Sequence, residues 1–162
     1  MITSWKKIFE EKYSFGFRNI VVKTFEDQNG KVEVWPTFSN KDFGTVLAIT
    51  EDNKIIVLKQ FRVGPEEIVC QLPGGEMEAE DKNVEETMAK ELLQETGYAG
   101  DIEYVGKFLM SAYDNYHGHL GIAKGVKKVA EATLDHNEFI EQHLMDVSEV
   151  KQLLKERKFI DS

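Results

Sequence analysis

Glu91, Gln94 and Glu95 stand at positions i, i+3 and i+4 of the stretch KELLQETG, Lys90 to Gly97. On a helix that spacing aims three oxygen-bearing side chains at one small volume. Acids in the last turn face the negative pole of the macrodipole and repel one another, at a cost of roughly 0.3–1 kcal/mol per contact. A hard divalent cation offsets that cost, because Mg²⁺ takes oxygen ligands and completes its shell with water and substrate phosphates. The chemistry on offer is neutralisation of charge on a bound phosphate and activation of an attacking water. The plainer alternative is a solvated acidic face beside a buried one. Pro73-Gly74-Gly75, just upstream, lets backbone come close to such a centre.

The elements that must hold these residues are legible from turns and periodicity. Asn83 opens a helix, with Glu86 three residues on as a capping box, and Gly97 closes it. Met88, Ala89, Leu92, Leu93 and Thr96 form its broad apolar stripe, with Glu91, Gln94 and Glu95 on the neighbouring edge. The short strand IVCQL precedes it and is stopped by Pro73-Gly74-Gly75. Asn29-Gly30 predicts a hairpin over residues 18–38, and Asp52-Asn53 a second one whose apolar arms are central strands. Beyond the helix, IEYVGKFLMSA and HGHLGIAKGVKKV read as strands flanking a loop at Asp114. EFIEQHLM reads as a shorter strand, and Asp146 with Glu149 caps a final helix. The fold class expected is α+β, an α/β/α sandwich with a mixed sheet between helices. Residues 1–162 form one domain in this reading, with residues 1–40 as an antiparallel strand extension and residues 38–44 as the nearest approach to a boundary.

Composition narrows the partners. A net charge of −9 and a pI near 5.0 argue against nucleic acid or an anionic membrane as the main partner. No window reaches the roughly 18 apolar residues of a membrane span. Cys70, the only cysteine, sits among apolar neighbours and reads as a buried thiol. A soluble, reducing, cytoplasmic setting is expected.

The stretch GGEMEAEDKNVEETMAKELLQETGY resembles the Nudix box. The resemblance implies a Nudix fold whose loop–helix–loop holds Mg²⁺, or Mn²⁺, against a nucleoside diphosphate linked to another moiety. Lys90 stands for the box arginine, and Glu91, Gln94 and Glu95 stand for its acids. Glu95 is expected as a direct metal ligand, Glu91 as ligand or water activator, and the Gly74 carbonyl as a further ligand. From Gly75 five residues lead to Asp81 rather than a glutamate, and eight rather than seven residues separate it from Lys90. An Asp81–Lys90 or Glu80–Lys90 pair is expected to anchor the loop, without the bidentate fork that arginine offers. Gln94 supplies an amide oxygen but no charge, so weaker metal binding is expected.

Beyond the box, nearly the whole chain resembles ADP-ribose pyrophosphatases and related nucleoside diphosphate sugar hydrolases. That likeness implies ADP-ribose or a nucleoside diphosphate sugar as substrate, and a homodimer built through residues 1–40. Gln71 stands where such relatives carry a glutamate near substrate and metal. The loop SAYDNYHGH stands where they often carry a glutamate base; Asp114 is the acid present and His117 a second candidate base. Arg62, at a strand end, suits a bidentate phosphate clamp, or else a surface salt bridge with Glu66 or Glu67. Trp35 is a candidate for stacking on a base, or else a core or interface residue. The rival reading is a weakened Nudix-fold nucleotide binder or sensor, because Gln94 and Gln71 are both neutral.

Overall fold

The computed structural model describes residues 3–16, 18–136 and 138–159. It divides into two compact units, one made of residues up to Asp42 with Phe108–His117, the other of Phe43–Lys107 with the chain from Gly118 onward.

The first unit is a three-stranded antiparallel sheet in the order β1 (Lys6–Phe15), β2 (Arg18–Glu26), β3 (Val32–Phe38). The β2–β3 hairpin turns at Asn29-Gly30, with Glu26 facing Val32 and Gly30 at φ +81°. Asp27 accepts the Asn29 and Lys31 N–H groups at 2.7 and 2.9 Å, which lowers its carboxyl below the usual range. Strand β1 is exposed at every position and carries a bulge between Lys7 and Phe9. The Asp114 loop is fastened within this unit: Asp114 accepts the Phe38 N–H at 3.1 Å and the Ser111 hydroxyl at 2.8 Å.

The second unit holds an eight-stranded mixed sheet. Its main path runs β11 (Ile140–Met145), β5 (Ile55–Arg62), β4 (Phe43–Thr50), β10 (His117–Lys128) and β8 (Tyr98–Ala99). On its flanks β6 (Glu67–Gln71) pairs with β5, β7 (Gly74–Glu76) with β4, and β9 (Glu103–Leu109) with β10. The β4–β5 turn places Asn53 at φ 60°, the left-handed conformation that asparagine tolerates best among ordinary residues. Strands β4 and β10 run parallel, Ala48 beside Ala123. Alternate residues of β5 serve two cores. Ile56 joins Val46, Met88, Leu92, Ala123 and Val126 under helix α1 (Val84–Thr96); Ile55 and Val57 join Cys70, Leu72 and Val150 under helix α2 (Val147–Lys155). Helices cover both faces, as the sandwich expectation required. No helix of the described residues is long and apolar enough to cross a membrane. Burial raises the Cys70 thiol above its ordinary pKa.

Three local expectations need correction. Gly74-Gly75 does not merely stop a strand: after Gln71 the chain re-enters the sheet as β7, Gly74 facing Thr45 and Gly75 facing Gly44. Glycine has poor strand propensity, and here the pairing with β4 overrides it. In α1 the Asn83 side chain caps the Glu86 N–H at 2.9 Å, but the Glu86 carboxylate returns to the Lys82 N–H, one residue before the cap. The buried stripe of α1 also differs from the expected one. Ala89 and Leu93 are exposed, while Thr87 and Glu95 are buried beside Met88, Leu92 and Thr96. The acidic edge is thus partly an interior face.

Candidate active site

Pairing of β7 with β4 brings Gly74 and Gly75 under the last turns of α1. The Gly74 N–H donates to a Glu95 carboxylate oxygen at 2.9 Å. Gly75 lies against the Glu91 carboxylate, in the space that a β-carbon at 75 would fill. The connecting loop is held from both ends. Asp81 accepts the Glu78 N–H and the Thr87 hydroxyl, each at 2.8 Å, and Lys90 reaches Glu78 at 2.5 Å and Asp81 at 3.9 Å. The short contact of the expected anchor is therefore made by Glu78, while Asp81 ties the loop to the helix through Thr87. Glu80 is exposed.

Glu95 is 5 % exposed, and its carboxyl is pushed up to about 8. Burial is the largest cause; the Gly74 N–H works against it, Glu91 and Glu138 add to it, and Arg62 lowers it. Glu91 rises to about 6, again by burial first, then by Glu138, with Lys90 opposing. Mutual repulsion of the helical acids was the expected strain; desolvation exceeds it. A cation among these oxygens would relieve both. Gln94 is half-buried on the same edge, its backbone carbonyl accepting the Thr133 N–H at 2.7 Å. Among the described residues no three His, Cys, Asp or Glu side chains converge in metal-holding geometry. Two carboxylates, an amide oxygen and nearby backbone make a donor set suited to a hard cation that keeps waters and phosphate oxygens in its shell.

Gly75→Ala tests this geometry. The clash falls on the movable end of Glu91, so stability should change little, while the displaced carboxylate should reduce activity at least about tenfold, as loss of a ligand-orienting contact does. A melting curve and an initial rate check both halves; wild-type activity would contradict the placement.

Arg62 and Gln71 meet on the same side of the sheet as Glu95, the Arg62 Nε donating to Gln71 Oε1 at 2.8 Å. Among the described residues no carboxylate lies within 4.0 Å of Arg62, so the salt bridge to Glu66 or Glu67 does not form. Trp35 and Asp114 belong to the first unit. Trp35 stacks on Tyr113, centroids 5.7 Å apart and planes at 16°, and lines with Trp5, Lys23 and Asp114 a pocket of about 510 Å³. The Trp35 Nε1 is buried and makes no hydrogen bond among the described residues. His117 donates its backbone N–H to Asp42 at 2.7 Å, and its ring Nδ1 lies 3.6 Å from the same oxygen. His119 is buried, its ring Nδ1 3.0 Å from the Tyr104 hydroxyl.

Glu138 is the residue that sequence reasoning missed. Its charge raises both Glu91 and Glu95. It comes from a loop far along the chain, where it accepts the Asp135 N–H at 3.0 Å. Nothing in the local pattern of LDHNEFIE ties it to the helix.

The NUDIX domain matches residues 41–161. The chain is 32% identical over 167 residues to a protein of Bacillus methanolicus named methanol dehydrogenase activator, covering 96% of this chain and 89% of that one. It is 28% identical to the ADP-ribose pyrophosphatase of Bacillus subtilis (strain 168), covering 94% and 84% respectively. A crystal structure of an ADP compounds hydrolase superposes with a TM-score of 0.83 at 18% identity, over 96% of this chain and 85% of that one. With its acidic loop–helix–loop in place and the family match spanning most of its length, the chain belongs to the NUDIX domain family.

Proposed function

We propose that the protein is a Mg²⁺-dependent hydrolase of ADP-ribose or a related nucleoside diphosphate sugar, cleaving the pyrophosphate to an AMP-type and a sugar-phosphate product. The observation that carries this reading is the pair of carboxylates, half-buried Glu91 and buried Glu95, held against Gly75 and Gly74 with pKa values raised to about 6 and 8. Glu91, Glu95, Gln94 and the Gly74 carbonyl would hold the cation, which when bound neutralises phosphate charge and acidifies water. Mn²⁺ suits the same donors. Arg62 offers its terminal nitrogens to a phosphate oxygen. Trp35, stacked on Tyr113 within the first unit, is the residue proposed for stacking on a base. Glu91 takes the proton of the attacking water; the new P–O bond forms as the bridging P–O bond breaks and the sugar phosphate leaves with its electron pair. Asp114, with both oxygens engaged by Phe38 and Ser111, shapes the loop that carries Tyr113.

The protein acts in this reading as a cytoplasmic homodimer. The first-unit sheet supports that part, since Phe9, Tyr13 and Phe15 alternate in exposed positions along β1. A monomer in sedimentation at micromolar concentration would remove it. For the chemistry, purified protein is incubated with ADP-ribose and with GDP-mannose, with and without Mg²⁺. Turnover is expected only with the cation; background rates in both conditions would remove the hydrolase claim. A second reading, a nucleotide binder with weakened metal loading, is favoured by the neutral Gln94 and by the lack of a three-acid cluster among the described residues.

A further inference from the structure

We propose that Gln60 and Gln71 form an amide relay that fixes the Arg62 guanidinium for an anionic ligand, which makes Gln60 a positioning residue of the site. The relay rests on the reading of Arg62 as a phosphate-binding group. Ile56, Leu58, Gln60 and Arg62 alternate onto one face of β5, and Ile56 places that face in the core under α1. Across the strand pair, Leu58 faces Gln71, Gln60 faces Val69 and Arg62 faces Glu67. To reach Gln71, the Arg62 side chain must fold back along the sheet rather than extend past the strand end. Its Nε makes the 2.8 Å bond to Gln71 Oε1, and Gln71 is only 3% exposed.

An amide has one accepting and one donating end, so its direction decides whether it can hold a guanidinium. The Gln71 Nε2 faces Gln60 Oε1 at 3.5 Å, at the long limit for a hydrogen bond. A reversed Gln71 would set NH₂ against the Arg62 Nε–H and an oxygen against the Gln60 oxygen. The Arg62 Nε–H sets the direction of Gln71, and Gln60 holds it there by turning its own oxygen to accept the Gln71 NH₂. The Nε bond leaves both terminal nitrogens of Arg62 without a hydrogen-bond partner among the described residues. Its charge still reaches Glu95, and no carboxylate of the described residues neutralises it within 4.0 Å. A carboxylate at 71 would orient the guanidinium equally well but cancel its charge. Two neutral amides orient it and leave the charge for a pyrophosphate oxygen.

The test measures dissociation constants for ADP and for adenosine by calorimetry in MgCl₂, so it does not depend on turnover. The variants are Arg62→Ala, Gln60→Leu, Gln71→Leu, Gln71→Glu and the two leucine changes in the Arg62→Ala background. Loss of a hydrogen bond to a charged group should weaken ADP binding about tenfold for Gln71→Leu and a few-fold for Gln60→Leu. Adenosine binding should not move. Gln71→Glu should weaken ADP binding without lowering the melting temperature, and in the Arg62→Ala background the leucine changes should add nothing. ADP affinity unchanged in Arg62→Ala would overturn the phosphate role and the relay together. Weakened binding in Arg62→Ala alone, or effects that persist without Arg62, would overturn the relay only. Gln60 is half-buried, so Gln60→Leu keeps the test decisive if Gln71→Leu does not fold.

Discussion

Glu95→Gln should abolish hydrolysis and yet make the cation-free protein harder to unfold at pH 8. The two effects share one cause. The Glu95 carboxyl titrates at 4.5 by its ordinary value and at about 8 when folded, because burial penalises its charged form. The folded state therefore holds the proton more tightly than the unfolded chain does. Stability from this group is complete below about pH 4.5, declines as pH rises through the interval, and is lost above about pH 8. At 1.36 kcal/mol per pKa unit the full loss is on the order of 5 kcal/mol. Glutamine is neutral throughout and keeps an oxygen for the Gly74 N–H. Its melting temperature should change far less between pH 5 and 8.5, retaining mainly the shallower slope that Glu91, raised to about 6, produces at the acid end. Mg²⁺ should raise the wild-type melting temperature at pH 8 and leave the variant nearly unmoved. Activity should fall more than about a hundredfold, beyond what loss of an outer-shell partner costs. Parallel stability–pH curves, or an active variant, would contradict the assignment.

Gln94→Glu should shift the protein in the opposite direction. A third carboxylate on the same helical edge adds a full negative charge where an amide oxygen now stands. Metal affinity, read by calorimetry with Mg²⁺ or Mn²⁺, should improve at least about tenfold, equal to ~1.4 kcal/mol. Without cation the same change adds repulsion to Glu91 and Glu95, so the melting temperature at pH 8 should drop. The size of the catalytic gain separates the two functional readings. If the parent binds ADP-ribose with little turnover and the variant becomes a strong hydrolase, the parent is a nucleotide binder. If the parent already turns over well and gains little, it is an enzyme that works with two acids.

Features with a local cause were the legible ones. Asn29-Gly30 and Asp52-Asn53 marked their turns because Gly30 and Asn53 tolerate left-handed backbone; Gly97 closed α1 for that reason, and Asn83 opened it by capping the Glu86 N–H with its side chain. The box residues could be placed on one helical edge from spacing alone. What stayed hidden was set by tertiary partners. Strand β1 has both faces in solvent, so no buried alternation announces it. The Gly74-Gly75 strand exists because β4 offers it a ladder. Thr87 is buried because Asp81 satisfies its hydroxyl, and Glu95 because Gly74 lends it an N–H. Residue type predicts exposure for both. Glu138 reaches the acids only through the fold, and Arg62 turns back to Gln71 rather than to its sequence neighbours Glu66 and Glu67.

The parallel ladder between β4 and β10 has a consequence for synthesis. Phe43 pairs with Gly118 and Ala48 with Ala123, and helix α1 lies in the chain between them. A ribosome delivers the chain from its first residue, so β4 waits for its neighbour until nearly the whole of α1 and β9 has been translated. During that wait Val46 and Ile56 lack the cover of Ala123 and Val126. Closure of so distant a pairing is slow because the loop entropy comes due before the contacts form. The nascent chain is thus most exposed to aggregation just before β10 emerges, and slowed translation ahead of that strand would lengthen its most vulnerable interval.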